Sequence, residues 1–240
     1  MQVFGKGINQ SALLLIEHRR KAYRNGKKLP SPKQLQNDIH MLTRELQPCR
    51  FTEILDIVDR RGDATGLAAP RWFVHLMGLC HKIVRVVLQT TENQLIFQRR
   101  SADKPDSADS IDLSAGGHVP AGMGLMAAAF EEMKQEIGLD DHHLVNGRLF
   151  RLGDPHLVLV NKPLGPSFNR ELTWIYGGMI LPEAVRDIRF SDGEAKSVFS
   201  LSVGEAVSLL KDPQSSSSIR NSLPVFLENW DSFMRYYFIK

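Results

Sequence analysis

At 240 residues, with 42% hydrophobic and 24% charged residues, the chain has an ordinary globular composition and the length to bury a core. Two cysteines, Cys49 and Cys80, exclude a disulfide framework and a metal-knuckle spacing. No apolar run nears the roughly 18 residues of a membrane span, and the segment 12–16 is too short for a signal peptide, so a cytoplasmic protein is expected. The net charge of +3 is uneven: residues 1–50 carry ten Lys or Arg against three Asp or Glu, so the remainder is net acidic.

In chain order, residues 8–25 and 32–47 read as two helices. They are parted by Asn25-Gly26 and by Pro30 and Pro32, with Ser31 placed to cap the second. Leu35, Ile39, Leu42 and Leu46 recur at helical spacing and make one apolar stripe. Arg19, Arg20, Lys21, Arg24, Lys27 and Lys28 would form a solvated basic face. A phosphate-binding or nucleic-acid surface is the alternative, but no aromatic interleaving supports it.

Strand patterns begin after Phe51. Residues 52–59 end at the turn Asp59-Arg60-Arg61-Gly62-Asp63. Residues 83–89 and 94–100 flank a hairpin turn at Thr90-Thr91-Glu92-Asn93, and 110–114 is a short strand. Further strands are expected at 147–152, 156–161, 171–180 and 195–201. Ser202-Val203-Gly204-Glu205 has the capping-box pattern and opens a helix through Lys211. Pro213 and the serines 215–218 read as a flexible break before a terminal helix over 219–236. A mixed sheet with helices on its faces follows, an α/β or α+β domain. The expected division is a basic helical extension at 1–50, a central domain at 51–212, and a linker with a C-terminal helix at 213–240.

Residues 117–139 carry the chemistry. Gly117, Glu132, Met133, Glu136, Gly138 and Leu139 fall on a pattern that resembles the Nudix box, G-x5-E-x7-R-E-U-x-E-E-x-G-U with U aliphatic. Met123, Glu131 and Gln135 stand where that box has Glu, Arg and Glu. The resemblance runs across roughly residues 52–211. It includes Gln98-Arg99-Arg100-Ser101 with Lys104, Asp112-Leu113-Ser114-Ala115-Gly116-Gly117-His118, and Asn169-Arg170-Glu171-Leu172. These pieces look like the larger Nudix hydrolases related to isopentenyl-diphosphate isomerase and the thiamine-diphosphate type. The isomerase itself fits less well: its catalytic cysteine lies just upstream of the Gly-His pair, where this chain has Ala115 and Gly116.

The resemblance implies an α/β/α sandwich with a mixed sheet, and hydrolysis of a small nucleotide- or cofactor-like diphosphate with Mg²⁺ or Mn²⁺. It implies Glu132 as general base or metal ligand, Glu136 as metal ligand, and a carbonyl ligand at Gly116 or Gly117. Glu132 and Glu136, four residues apart, share one helix face. Met126, Ala129, Phe130, Met133 and Ile137 fall on another, expected to pack on the sheet. Gln135 is a weaker, neutral substitute ligand, and Glu194 a candidate from a late loop. Arg99, Arg100, Lys104 and His118 are candidate substrate contacts. The box's bridging Glu and Arg are lost together, so neither leaves an orphaned charge. The alternative function is a ligand-binding or interaction module with the fold kept and catalysis weak or absent. His142 and His143 are expected at the surface, and Trp174 and Tyr176 in the core.

Overall fold

The computed structural model describes residues 10–24, 29–46, 53–103, 108–161, 168–191, 193 and 195–238. The chain divides into two compact units: residues 1–82, 119–122 and 157–172, and residues 83–118, 123–156 and 173–240.

The first unit opens with α1 (Gln10–Arg24) and α2 (Pro32–Leu46), the two expected helices. Ser31 caps α2 as its sequence suggests, its hydroxyl accepting from the Gln34 N–H at 3.2 Å. The stripe of α2 buries Leu35, Leu42 and Leu46, with Ile39 partly covered. β1 (Ile54–Val58) and β2 (Ala64–Pro70) form an antiparallel pair, with Ile57 also opposite His81 at the start of β3 (Cys80–Thr90). α3 (Arg71–Met77) buries Phe73, Val74, Leu76 and Met77 in the same core as Leu55, Ile57 and the α2 leucines. Arg19 and Arg20 do not belong to a solvated basic face. Arg19 pairs with the buried Asp38 at 2.8 Å, and the Arg20 Nε donates to the Leu76 carbonyl at 2.6 Å.

In the second unit, β3 continues into β4 (Gln94–Arg100) through the expected hairpin, with Leu88 opposite Ile96. β5 (Ile111–Asp112) pairs with β4, and β6 (Ala115–His118) lies antiparallel to β3, from Ile83 opposite His118 to Val86 opposite Ala115. β9 (Ala195–Ser202) runs antiparallel along β4, whereas the bridge between Ile111 and Ser215 is parallel, so pairing is mixed. β7 (Leu144–Asn161) is one continuous strand where two were expected, and β8 (Phe168–Ile180) follows it. Trp174 and Tyr176 are buried as predicted. α4 (Leu125–Ile137) carries the box and ends at Gly138, φ 72°. The expected helix after Ser202 is a short α5 (Val203–Ala206) running into a 3-10 turn, capped by Ser202 and Glu205 as predicted.

Two expectations about the C-terminal segment fail. The serines near 216 are not a flexible break: Ser215, Ser216, Ser218 and Ser222 are all buried, and Ser216 caps α6 (Ser217–Glu228). The terminal helix is also two helices, α6 and α7 (Trp230–Phe238), broken at Asn229. Ile219, Leu223, Phe226 and Phe233 from this pair share a core with Val87, Phe97, Leu152 and Ile175. The expected α+β class, with N-terminal and C-terminal helices, is thus what the structure has. Among the described residues, no helix is long and apolar enough to cross a membrane.

Candidate functional site

The glycine pair of β6 and the two box glutamates of α4 meet residue by residue. At Gly117, an added Cβ would lie 2.2 Å from the Glu132 Oε1, so the carboxylate rests on backbone that only glycine leaves open. At Gly116, the backbone N–H donates to the Glu136 Oε2 at 3.2 Å. Glu136 is buried at 2% exposure. Its Oε2 also accepts from the Gln98 Nε2 at 2.8 Å, a bond that reaches from β4 to α4. A buried carboxylate is tolerated only when such donors replace water. Glu132 is half-buried, so the pair runs from the interior toward solvent along one side of the helix, as the spacing predicts.

The remaining box positions do not join this pair. Gln135 is exposed, and its amide donates to the exposed Glu131 carboxylate at 2.9 Å, one turn earlier on the helix. The missing ligand and the missing arginine of the box have therefore become an outward-facing hydrogen bond. Met126, expected in the packed face, is 40% exposed. The buried face instead holds Ala128, Ala129, Met133, Glu136 and Ile137. The metal-ligand candidate thus shares the packed face rather than standing apart from it.

Arg85 was not singled out by sequence reasoning, although it interrupts the apolar run of β3. Its Nη1 donates to the Gly116 carbonyl at 3.1 Å. In the sequence Gln98 belongs only to a strand motif, and its role at Glu136 has no signature in one dimension.

The basic candidates serve the scaffold. Arg99 donates to the Asp109 carbonyl at 3.0 Å and also reaches Gln214. Arg100 lies 3.6 Å from the buried Asp112 carboxylate, which also accepts from the Leu113 N–H and the Ser216 hydroxyl. Lys104 and Glu194 lie outside the described residues. His118 sits at the end of β6, half-buried, opposite Ile83. His142 is exposed, as expected, and His143 caps a 3-10 turn through Asp140.

Two carboxylates and the backbone of a glycine pair therefore lie together where the box helix meets β6. These hard oxygens fit Mg²⁺ or Mn²⁺, which need few protein ligands when waters and phosphates complete the shell. A second, softer set lies in the first unit. His75, His81 and Glu171 offer ligand atoms within 4.8 Å of one another, with the two imidazole Nε2 atoms 3.3 Å apart. His81 is fully buried, and that burial lowers its pKa and favours the neutral imidazole. Two imidazoles with a carboxylate suit transition metals better than Mg²⁺. Sequence reasoning missed this grouping, because residues 75, 81 and 171 have no common motif.

No protein-family model matches the chain. Nudix hydrolase 3 of Arabidopsis thaliana is 35% identical over 88 residues, 36% of this chain and 11% of that protein. An uncharacterised Nudix hydrolase of Nostoc is 33% identical over 110 residues, 45% of this chain and 64% of that protein. The chain thus spans less than two thirds of either relative. Among solved structures, DR0079 of Deinococcus radiodurans superposes with a TM-score of 0.52 at 15% identity, covering 78% of this chain and 99% of that one, which bears on the fold. The glycine strand that delivers its residues onto the glutamates of the following helix is thus found in a chain whose relatives, over part of their length, are Nudix hydrolases.

Proposed function

We propose that the chain is a divalent-metal-dependent Nudix hydrolase that cleaves the diphosphate linkage of a small nucleotide- or cofactor-like compound. The observation that carries this reading is the seating of Glu132 on Gly117 and of Glu136 on the Gly116 N–H. Both glutamates that survive in the box hold an organised geometry, whereas Glu131 and Gln135 face outward. A bound Mg²⁺ or Mn²⁺ would neutralise charge developing on the phosphoryl oxygens and lower the pKa of a coordinated water.

Glu136, fixed from two sides, is the ligand of the pair, and the half-buried Glu132 is the carboxylate able to take a proton from water. The carbonyl ligand comes from Gly116 or Gly117; the Gly116 carbonyl also accepts from Arg85 and keeps a second lone pair for a cation. Arg85 then serves as a fixed positive charge beside the site, available to an anionic substrate. Arg99, half-buried and engaged at the Asp109 carbonyl rather than at a buried carboxylate, is the better placed of the two β4 arginines to touch phosphate from solvent.

Glu132→Gln is expected to remove Mg²⁺- or Mn²⁺-stimulated release of phosphate or nucleotide across a panel of diphosphates, with the fold intact by circular dichroism. Equal turnover in that variant would sink the assignment. One observation favours the second reading, ligand binding without turnover: the third box carboxylate is absent and Gln135 points away from the pair. On that reading, ligand affinity survives a chelator, while hydrolysis is undetectable with any metal.

A further inference from the structure

Gln98 is 2% exposed and lies on a strand of otherwise apolar buried residues, Leu95, Ile96 and Phe97. One end of its amide is accounted for, because Nε2 donates to the Glu136 carboxylate at 2.8 Å. The other end is not: the carbonyl Oε1 is buried and has no hydrogen-bond partner among the described residues. Leaving an acceptor of this kind dry is unfavourable, because it has given up water and gained no donor in exchange. The amide cannot turn over to relieve it, because its oxygen would then face the carboxylate that its N–H now holds. A buried acceptor left unsatisfied by the described residues, beside a carboxylate, suits a donor brought in with a ligand.

Resting on the reading of Glu132 and Glu136 as the metal-holding pair, we infer that Gln98 is a positioning residue that takes over the box's lost third helix position. Its N–H holds the Glu136 carboxylate, and its carbonyl oxygen accepts from a water carried by the hydrated divalent cation. The support moves from the helix to β4. The geometry explains how the chain tolerates Gln135 on the solvent side: the third polar partner comes from the strand.

The test is Mn²⁺ binding to the full chain without substrate, followed by the paramagnetic resonance of free Mn²⁺ and by calorimetry, beside thermal melts with and without the ion. Gln98→Met keeps the side-chain volume and removes both polar ends. It is expected to weaken Mn²⁺ binding by about 10–100-fold, the range seen when a partner of a ligand is lost. An amide that serves only packing would lower the melting temperature and leave Mn²⁺ affinity unchanged, and that result overturns the inference.

Gln98→Glu guards against a variant that fails to fold. Two adjacent carboxylates should lower the melting temperature of the metal-free protein and enlarge its rise on adding Mn²⁺ beyond that of the wild type. No enlarged rise counts against the proposal. Gln135→Ala should leave Mn²⁺ affinity where it was; a loss as large as that of Gln98→Met would return the third position to the helix. Finally, if the wild type shows no saturable Mn²⁺ binding that Glu136→Gln removes, the metal reading itself fails. Binding that Glu136→Gln abolishes and Gln98→Met spares leaves that reading standing and removes Gln98 alone.

Discussion

At Gly117 the site depends on an atom that is absent. A Cβ there would lie 2.2 Å from the Glu132 Oε1, but the atom it meets is the far end of a flexible side chain. Gly117→Ala should therefore fold with a small loss of stability while pushing the carboxylate out of place. A displacement near 1 Å can cost about 100-fold in rate. We expect metal-stimulated turnover to fall by about that factor, with a thermal midpoint close to wild type. A large drop in the midpoint would mean that the glycine serves the fold first. The surroundings of Cys80 illustrate the opposite case, a reactive group made quiet: burial pushes its thiol up to about 11, against a partial opposing pull from Arg170. A thiol so rarely ionised at neutral pH is a poor nucleophile.

At the scale of elements, the C-terminal segment is held by polar groups rather than by strand pairing alone. Ser216 does two jobs, capping α6 at the Ile219 N–H and donating its hydroxyl to the buried Asp112 at 2.9 Å. Ser216→Ala removes the cap and one donor to a carboxylate, so a loss of about 2–3 kcal/mol is expected in urea unfolding. A loss below about 0.5 kcal/mol would show that water replaces the hydroxyl.

Elements with strong local signals were legible in the sequence. The α2 stripe, the β3–β4 hairpin, the Ser202 capping box and the helix of the box all follow from periodicity and caps. What escaped has a physical cause in each case. β2 reads Ala-Thr-Gly-Leu-Ala-Ala-Pro, poor in β-formers, and is a strand because β1 pairs with it. α3 is only seven residues long and has no side-chain cap at Pro70. A run of serines is polar by composition and buried by its partners. In the site, Glu132, Glu136 and the glycines were legible from spacing. Gln98 and Arg85 were not, since their roles arise only when β4 and β3 are laid beside α4 and β6.

At the scale of the molecule, each unit has its own apolar core. α1 and α2 bury Ile16, Tyr23, Leu35, Leu42 and Leu46 in the first, together with β1 and α3. Truncating one such leucine costs about 2–5 kcal/mol, a large share of the 5–15 kcal/mol that holds a typical domain. Deleting residues 1–50 should therefore lower the thermal midpoint sharply or abolish soluble expression, rather than trim away a basic tail. A truncated chain that melts like the full one would identify those helices as an appendage. The inward turns of Arg19 and Arg20 also leave fewer cations on that segment to attract an anionic partner than its composition suggests.

The clasp between β5 and the serine run bears on exchange with solvent. The Ile111 N–H donates to the Gln214 carbonyl, and the Ser216 N–H donates back to the Ile111 carbonyl, both at 2.8 Å. Serine-rich stretches usually give up their amide protons to deuterium almost at once, because nothing holds them. Here the amide of Ser216 can exchange only when β5 lets go, an opening that also exposes a carboxylate. In a deuterium time course, the most polar-looking stretch of the chain should retain its protons at that amide on the timescale of the neighbouring strand.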